Sequence, residues 1–422
     1  MRPTAIAGGI VALAVAVWAM PRNQQDGLRG DPAAASVLAG AIEFFEARVG
    51  SDPIDASAAG ALASRYVLRF QRLADLEDLR RAERVINSTL LYAGDGSAAQ
   101  AQLSAIRLMQ HDFVGAYAAA RDAVQHVGAN DDALGAWFDA ALATGRFDEA
   151  KRALAGMDER SLATQVRRSH WLDANGDAQG AFAALSSVCE QVERSGEKPD
   201  ITAWCLTELA GLEHTLHGEA AAKRLYRKVL GIMPGYRAAI EGLGDLHHAN
   251  REWRRAIAKY EQIAVDAHPD LYLRLAESNR ELGSEDRARE WEAEFLRAAG
   301  GADVERLFAH PLAMFLAEQP HSRDRALEIA LRDVASRPAP ESFDVLAWVH
   351  LQRGDAAAAL VASDRAQAHT APTPTMAYHR ARILHALGSG DRSAVLLAEA
   401  AAQRSQLDPA ARIDLDRFMM RQ

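Results

Sequence analysis

Along residues 203–269 apolar side chains recur at helical spacing, and the whole pattern then recurs once more. The first stretch carries Leu206, Leu209, Ala210, Ala222, Tyr226 and Val229 and closes on Pro234. The second carries Ile240, Leu243, Gly244, Ala256, Tyr260 and Ile263 and closes on His268-Pro269. Leu209 to Leu243, Ala222 to Ala256 and Tyr226 to Tyr260 are each 34 residues apart. Such spacing predicts amphipathic helices, and a fixed period of that length predicts helical hairpins stacked one on the next. Side-chain size says how they pack. Small residues at Ala210 or Gly244 and at Ala222 or Ala256 let the two helices of a hairpin approach closely. Leu209, Tyr226, Leu243 and Tyr260 then fill the space between consecutive hairpins. Proline stops each second helix because it lacks the N–H and clashes with the preceding turn. One hairpin cannot bury its apolar face alone, so units must stack.

This pattern resembles the tetratricopeptide repeat (TPR), with its small residue early in the first helix and its Ala-x-x-x-aromatic in the second. The resemblance implies an all-α fold, an α-α superhelical solenoid whose inner face is lined by the first helices. The register extends in weaker form through residues 32–407. Asp31-Pro32 starts a helix with Leu38, Ile42, Phe45 and Val49 on one face, and Gly50 ends it; this reads as a half-repeat that caps the stack. Units follow around Ala82, Ala116, Ala150 and Ala181, then the two clear copies, then Ala288, Ala326 and Ala359, with a last unit around Gly388. Turns fall at Gly94-Asp95-Gly96, Gly145-Arg146, Gly176-Asp177 and Gly354-Asp355. Gly300-Gly301 marks the largest irregularity. Asp408-Pro409 opens a final helix within residues 408–422, expected as a solvating C-terminal cap. The array comes to about nine or ten units.

Composition changes this picture little. The 422 residues are 49% apolar and 25% charged, with 6% aromatics and abundant alanine, the best helix former. Length alone would suggest about three domains, but a solenoid grows by adding units without needing a new core. The net charge of −9 argues against non-specific nucleic-acid binding, which needs a basic stripe.

Residues 1–20 differ from the rest. Met1-Arg2 is followed by an uncharged apolar run from Ala5 to Met20, closed by Pro21-Arg22. Its sixteen residues are short for a membrane span and slightly long for a signal-peptide core. An uncleaved anchor and a cleaved signal both fit, and either one directs the chain to a bacterial-type membrane. Residues 21–31 read as a polar linker. Flanking charges are nearly balanced, so orientation is weakly specified. An exported, periplasmic array is favoured over one anchored on the cytoplasmic side.

Motifs for chemistry are few. There is no phosphate loop, no His-Glu-x-x-His and no nucleophile elbow. Gly242-Leu243-Gly244 has no preceding strand, and the repeat already explains Gly244. No cofactor is implied. His214, His217, His247, His248 and His268 cluster in the clear repeats, and His214 and His248 occupy equivalent positions on adjacent first helices. They are the candidate metal ligands, against the plainer reading of ordinary helix residues. A metal-handling protein or an enzyme sited there, or in the irregular 296–340 region, is the alternative function. Cys189, late in one second helix, and Cys205, early in the next first helix, stand where a loop brings helix ends together. They are either a disulfide pair or two small buried hydrophobes.

The inner face that the resemblance implies would present Glu241, Asp245, Asp270, Glu277 and Glu281, and further on Glu341 and Asp344, with Trp204, Trp348 and Tyr378 as large anchors. An acidic groove of that kind suits a basic or amphipathic protein segment, and a solvated helix face in an acidic protein explains the same residues. Some TPR proteins hold chaperone tails through a Lys/Asn/Arg clamp. Glu241 and Asp245 stand where Lys and Asn would be needed, which argues against that partner class. The expected function is a non-enzymatic scaffold or adaptor for protein partners, at or outside a membrane.

Overall fold

The structure is a computed structural model that describes residues 32–73, 75–92, 96–127, 130–196, 199–263, 269–301 and 305–420. The apolar run and linker of residues 1–31, the turn residues Gly94 and Asp95, and His268 lie outside them. The described residues form twenty-two α-helices and no strand, packed as consecutive antiparallel pairs in a TPR-like superhelical solenoid.

A single helix, α1 (Pro32–Ser51), precedes ten hairpins. These are α2 (Ala56–Leu73) with α3 (Leu76–Tyr92), α4 (Ser97–Met109) with α5 (Phe113–Val127), and α6 (Asp131–Ala143) with α7 (Phe147–Ala155). Next come α8 (Leu162–Ala174) with α9 (Ala178–Ser195), α10 (Pro199–His217) with α11 (Glu219–Ile232), and α12 (Arg237–Ala249) with α13 (Trp253–Tyr260). The last four are α14 (Asp270–Glu281) with α15 (Glu285–Ala299), α16 (Ala309–Glu318) with α17 (Arg323–Ser336), α18 (Pro340–Gln352) with α19 (Ala356–Ala366), and α20 (Pro374–Ala386) with α21 (Gly390–Ala402). A terminal helix, α22 (Pro409–Met419), follows.

The small-residue rule is visible atom by atom. Ala82, Ala116, Ala150, Ala181, Ala222, Ala256, Ala288, Ala326 and Ala359 sit at one equivalent position of nine successive hairpins, and each has 0% exposure. A larger side chain there would push two helices apart. Gly244 shows the limit of this packing: a Cβ on it would stand 2.5 Å from the Tyr260 ring, so no side chain fits. Where serine replaces alanine, its hydroxyl is used across the hairpin. Ser169 Oγ donates to the Ala181 carbonyl and Ser393 Oγ to the Ala381 carbonyl, both at 2.8 Å. The irregular 296–340 region is still a hairpin, α16 with α17, displaced by short 3₁₀ turns at Glu305–Phe308 and Pro320–Ser322.

Two features go beyond a simple stack. First, the superhelix closes on itself. Buried Arg337, between α17 and α18, donates from Nε to the Ala143 carbonyl at 3.2 Å and lies 5.0 Å over the Phe113 ring. Gly145 turns with φ +69° directly against the Pro338 carbonyl, a site that tolerates no Cβ. Second, α22 does not merely cap the end. It seals the last hairpin through Ala411 and Leu415, which cluster with Trp348, Tyr378 and Leu397. It also reaches into the concave side and packs against α12, α14 and α20.

Candidate binding groove

Glu241 and Asp245 lie on α12, Asp270, Glu277 and Glu281 on α14, and Glu341 and Asp344 on α18, each the first helix of its hairpin. The charge of this stripe is not left open. Arg274, on α14, collects three of the acids at once: Glu241 at 2.7 Å, Asp245 at 2.9 Å and Asp270 at 3.1 Å. Asp245 also accepts from the Tyr260 hydroxyl at 2.7 Å. Burial pushes the Asp245 carboxyl up, and Arg274 opposes that shift. Glu281 pairs with Arg417 of α22 at 3.0 Å. Asp344 accepts from His379 Nδ1 at 2.8 Å, and Glu341 lies 3.4 Å from Arg337. The stripe is therefore largely an internal ion-pair network, which corrects the picture of a bare acidic wall. The Asp270-x-x-x-Arg274 spacing, one helical turn, was the sequence signal for it.

The aromatic anchors are corrected in the same way. Trp204 is 3% exposed and packs in the cluster around Val188, Val192 and Leu209. Trp348 is 2% exposed, stacked on His379 at 4.3 Å between ring centroids. Tyr378 is fully buried and its hydroxyl donates to Asp414 of α22 at 2.7 Å. Trp348 and Tyr378 thus hold the chain's own last helix, and Trp204 belongs to the core between α9 and α10.

Cys189 and Cys205 are joined in a disulfide, Cα atoms 5.6 Å apart, linking α9 to α10. His214 and His248 are both buried and face the guanidinium of Arg412. Burial, with that positive charge, pushes each imidazole down to about 3. Arg412 donates to His248 Nδ1 at 3.2 Å, so the neutral ring carries its proton on Nε2, which points at Glu277 Oε2 3.5 Å away. Among the described residues no group of three or more His, Cys, Asp or Glu side chains has metal-holding geometry. In the 296–340 region His310 meets Asp333 at 2.7 Å and Ser342 at 3.2 Å. Both contacts use Nε2, and Ser342 has no exposed surface, so the three lack the relay of a nucleophilic triad and instead tie α16 to α17 and α18.

Sequence reasoning missed one groove residue. Glu208, half-buried on α10, is pushed up to about 8 by burial and then by the nearby charge of Asp173 on α8. Among the described residues no cation is ion-paired with it. Only the fold shows this, because it brings neighbouring first helices side by side.

No protein-family model matches the sequence, and no curated protein matches it. Among solved structures the chain is similar to a tetratricopeptide repeat protein from Parabacteroides merdae, at 15% identity and TM-score 0.34, over 61% of this chain and 98% of that one. It is similar to PilF of Pseudomonas aeruginosa at 18% identity and TM-score 0.37, over 51% and 99%. Human IFIT1, solved as a dimer with PPP-AAAA, gives 14% identity and TM-score 0.46, over 87% and 95%. The fold assignment itself rests on the helix pairing and the alanine register described above.

Proposed function

We propose that this chain is a non-enzymatic scaffold that captures a basic segment of a protein partner on its concave face, delivered to a membrane or exported by residues 1–20. The observation that carries the reading is Glu208. It is half-buried on a first helix, no cation among the described residues is ion-paired with it, and burial and Asp173 push its carboxyl up to about 8, so it regains its charge when a lysine or arginine is brought beside it. The stripe residues Glu241, Asp245 and Asp270 are already ion-paired with Arg274, so reversing their charge would unsettle the hairpins and report little about a partner. Glu208→Lys is the cleaner change. A photo-crosslinker at Thr207, half-buried on the same helix, should capture a protein in cells, and Glu208→Lys should cut that capture about ten-fold. Unchanged capture would remove the basic partner from the proposal, and no captured protein would remove the scaffold.

Targeting is tested separately. No helix among the described residues is long and apolar enough to cross a membrane, so the proposal places any anchoring in the apolar run before them. A C-terminal reporter active only outside the cytoplasm should report export. Activity only inside would assign the array to the cytoplasmic face.

A further inference from the structure

The last helix is well matched at its edges and poorly matched at its centre. At the edges, Arg404 Nε donates to Asp416 at 2.7 Å, Arg251 of the α12–α13 turn reaches Asp416 at 2.8 Å, and Arg417 reaches Glu281 at 3.0 Å. Ala411 and Leu415 sit against Trp348 and Tyr378. At the centre, Arg412 has 0% exposure, yet its hydrogen bonds all go to neutral acceptors. These are the carbonyls of Arg404 at 3.2 Å, Ser405 at 3.5 Å and Leu407 at 2.7 Å, and His248 Nδ1 at 3.2 Å. Among the described residues no carboxylate is ion-paired with it. Burial outweighs the charges of Asp245 and Asp408, which favour its charged form, and a buried charge without a paired counter-charge is costly. The groove side of the contact is also unsettled. His248 Nε2 and Glu277 Oε2 are buried 3.5 Å apart without a hydrogen bond. Burial pushes the Glu277 carboxyl up to about 7.

We infer that α22 is a replaceable plug, and that the groove beneath it is an interaction surface for a partner's amphipathic helix. The partner helix is defined by the contacts: a small and a leucine-sized apolar residue four positions apart, as Ala411 and Leu415 are, and an arginine two positions later to meet Glu281. Where α22 carries Arg412 the partner carries an uncharged side chain, which gives it the advantage over the plug. This rests on the scaffold reading and names the second stretch of groove that a partner engages.

A labelled peptide of residues 404–420 with Arg412→Met serves as the probe, titrated into the full chain by fluorescence anisotropy. It should bind and speed amide exchange in the chain's own α22, and adding Arg417→Glu to the peptide should weaken binding about ten-fold. Arg412→Met in the full chain should raise its melting temperature and weaken peptide binding about ten-fold, because the plug then holds better. In the unmodified chain the α22 amides should exchange faster than those of α12 and α20. No binding up to about 100 µM peptide, a lower melting temperature for the variant, or equal protection of α22, α12 and α20 would each overturn the inference. A tight plug alongside crosslinks at Thr207 would end this proposal and leave the scaffold standing. Peptide binding with no protein crosslinked in cells would remove the scaffold reading on which it rests.

Discussion

At the scale of single residues, one position of each first helix repeatedly faces a fixed position of the next. Asp139 on α6 accepts from Arg167 on α8 in a two-pronged bond, Nε at 3.0 Å and NH2 at 2.8 Å, with both side chains buried. Asp245 with Arg274 and Trp348 with His379 fill the same relation further along. The guanidinium of Arg167 lies over Gly135, where a Cβ would come within 2.8 Å of Cζ. Burial pushes the Asp139 carboxyl up to about 6, even though Arg167 pulls it down, so desolvation outweighs attraction here. Such a pair adds little net stability while intact, but losing one partner strands a buried charge. Asp139→Ala should therefore destabilise the fold by about 3–5 kcal/mol, while Asp139→Leu with Arg167→Met should recover most of it. Urea unfolding of the two variants checks this. Similar losses in both would mean that the pair contributes through packing and not through charge.

At the scale of elements, the disulfide joins α9 to α10, two helices of different hairpins, across a sequence separation of 16. Closing a loop of that length stabilises by about 3 kcal/mol in the chain-entropy model. Reduction, or replacing both cysteines by serine, should lower stability by that order and speed amide exchange first in α9 and α10. Uniform exchange across the solenoid would show that the bond constrains the whole stack. The hairpins themselves were legible in the sequence because what makes them is local: Gly244 meets Tyr260 within its own hairpin and Ala222 meets Leu243 and Leu246 of the next, so a 34-residue register records them. The place of α22 was not legible. Its contacts and those of the turn leading into it, such as Arg412 to His248 and Arg404 to the Ala249 carbonyl, span 164 and 155 residues, and they exist only because small rotations per hairpin add up to a curved groove. The acidic stripe lies between these cases. Its residues were readable from the period, whereas their pairing depended on Arg274 facing back across a helix boundary to Glu241 and Asp245.

At the scale of the whole molecule, closing the superhelix and filling its groove buries titratable groups of both kinds, and their pH dependences oppose each other. His111, His214 and His248 are pushed down by burial to about 3, and His170 to about 4, from an ordinary 6.5. Their folded values are depressed, so their contribution to stability is fully present above 6.5 and is lost as pH falls from there toward 3. Glu277 is raised by burial from 4.5 to about 7, and Glu208 to about 8. Asp139 is raised from 3.8 to about 6. These carboxyls contribute fully below their unfolded values, and the contribution is lost as pH rises through the folded ones. Between 4.5 and 6.5 the unfolded chain holds extra histidine protons while the folded chain holds extra carboxyl protons, and the slopes offset. Below 4.5 only Asp139 still opposes the histidines, and below 3.8 they act unopposed, joined by Asp333, which His310 and Ser342 hold at about 2 against the effect of burial. The melting temperature should therefore form a plateau over the 4.5–6.5 window, fall steeply below it, and decline gently toward pH 8 as Glu277 and Glu208 ionise. Glu277→Gln with Glu208→Gln removes two of the opposing acids, so the double variant should lose its plateau and melt progressively lower from 6.5 down to 4.5. Circular dichroism melts of both proteins across that range decide the matter. A wild-type melting temperature that already falls steadily through the window would mean that the groove acids are ionised and solvated, and that the plug does not desolvate them.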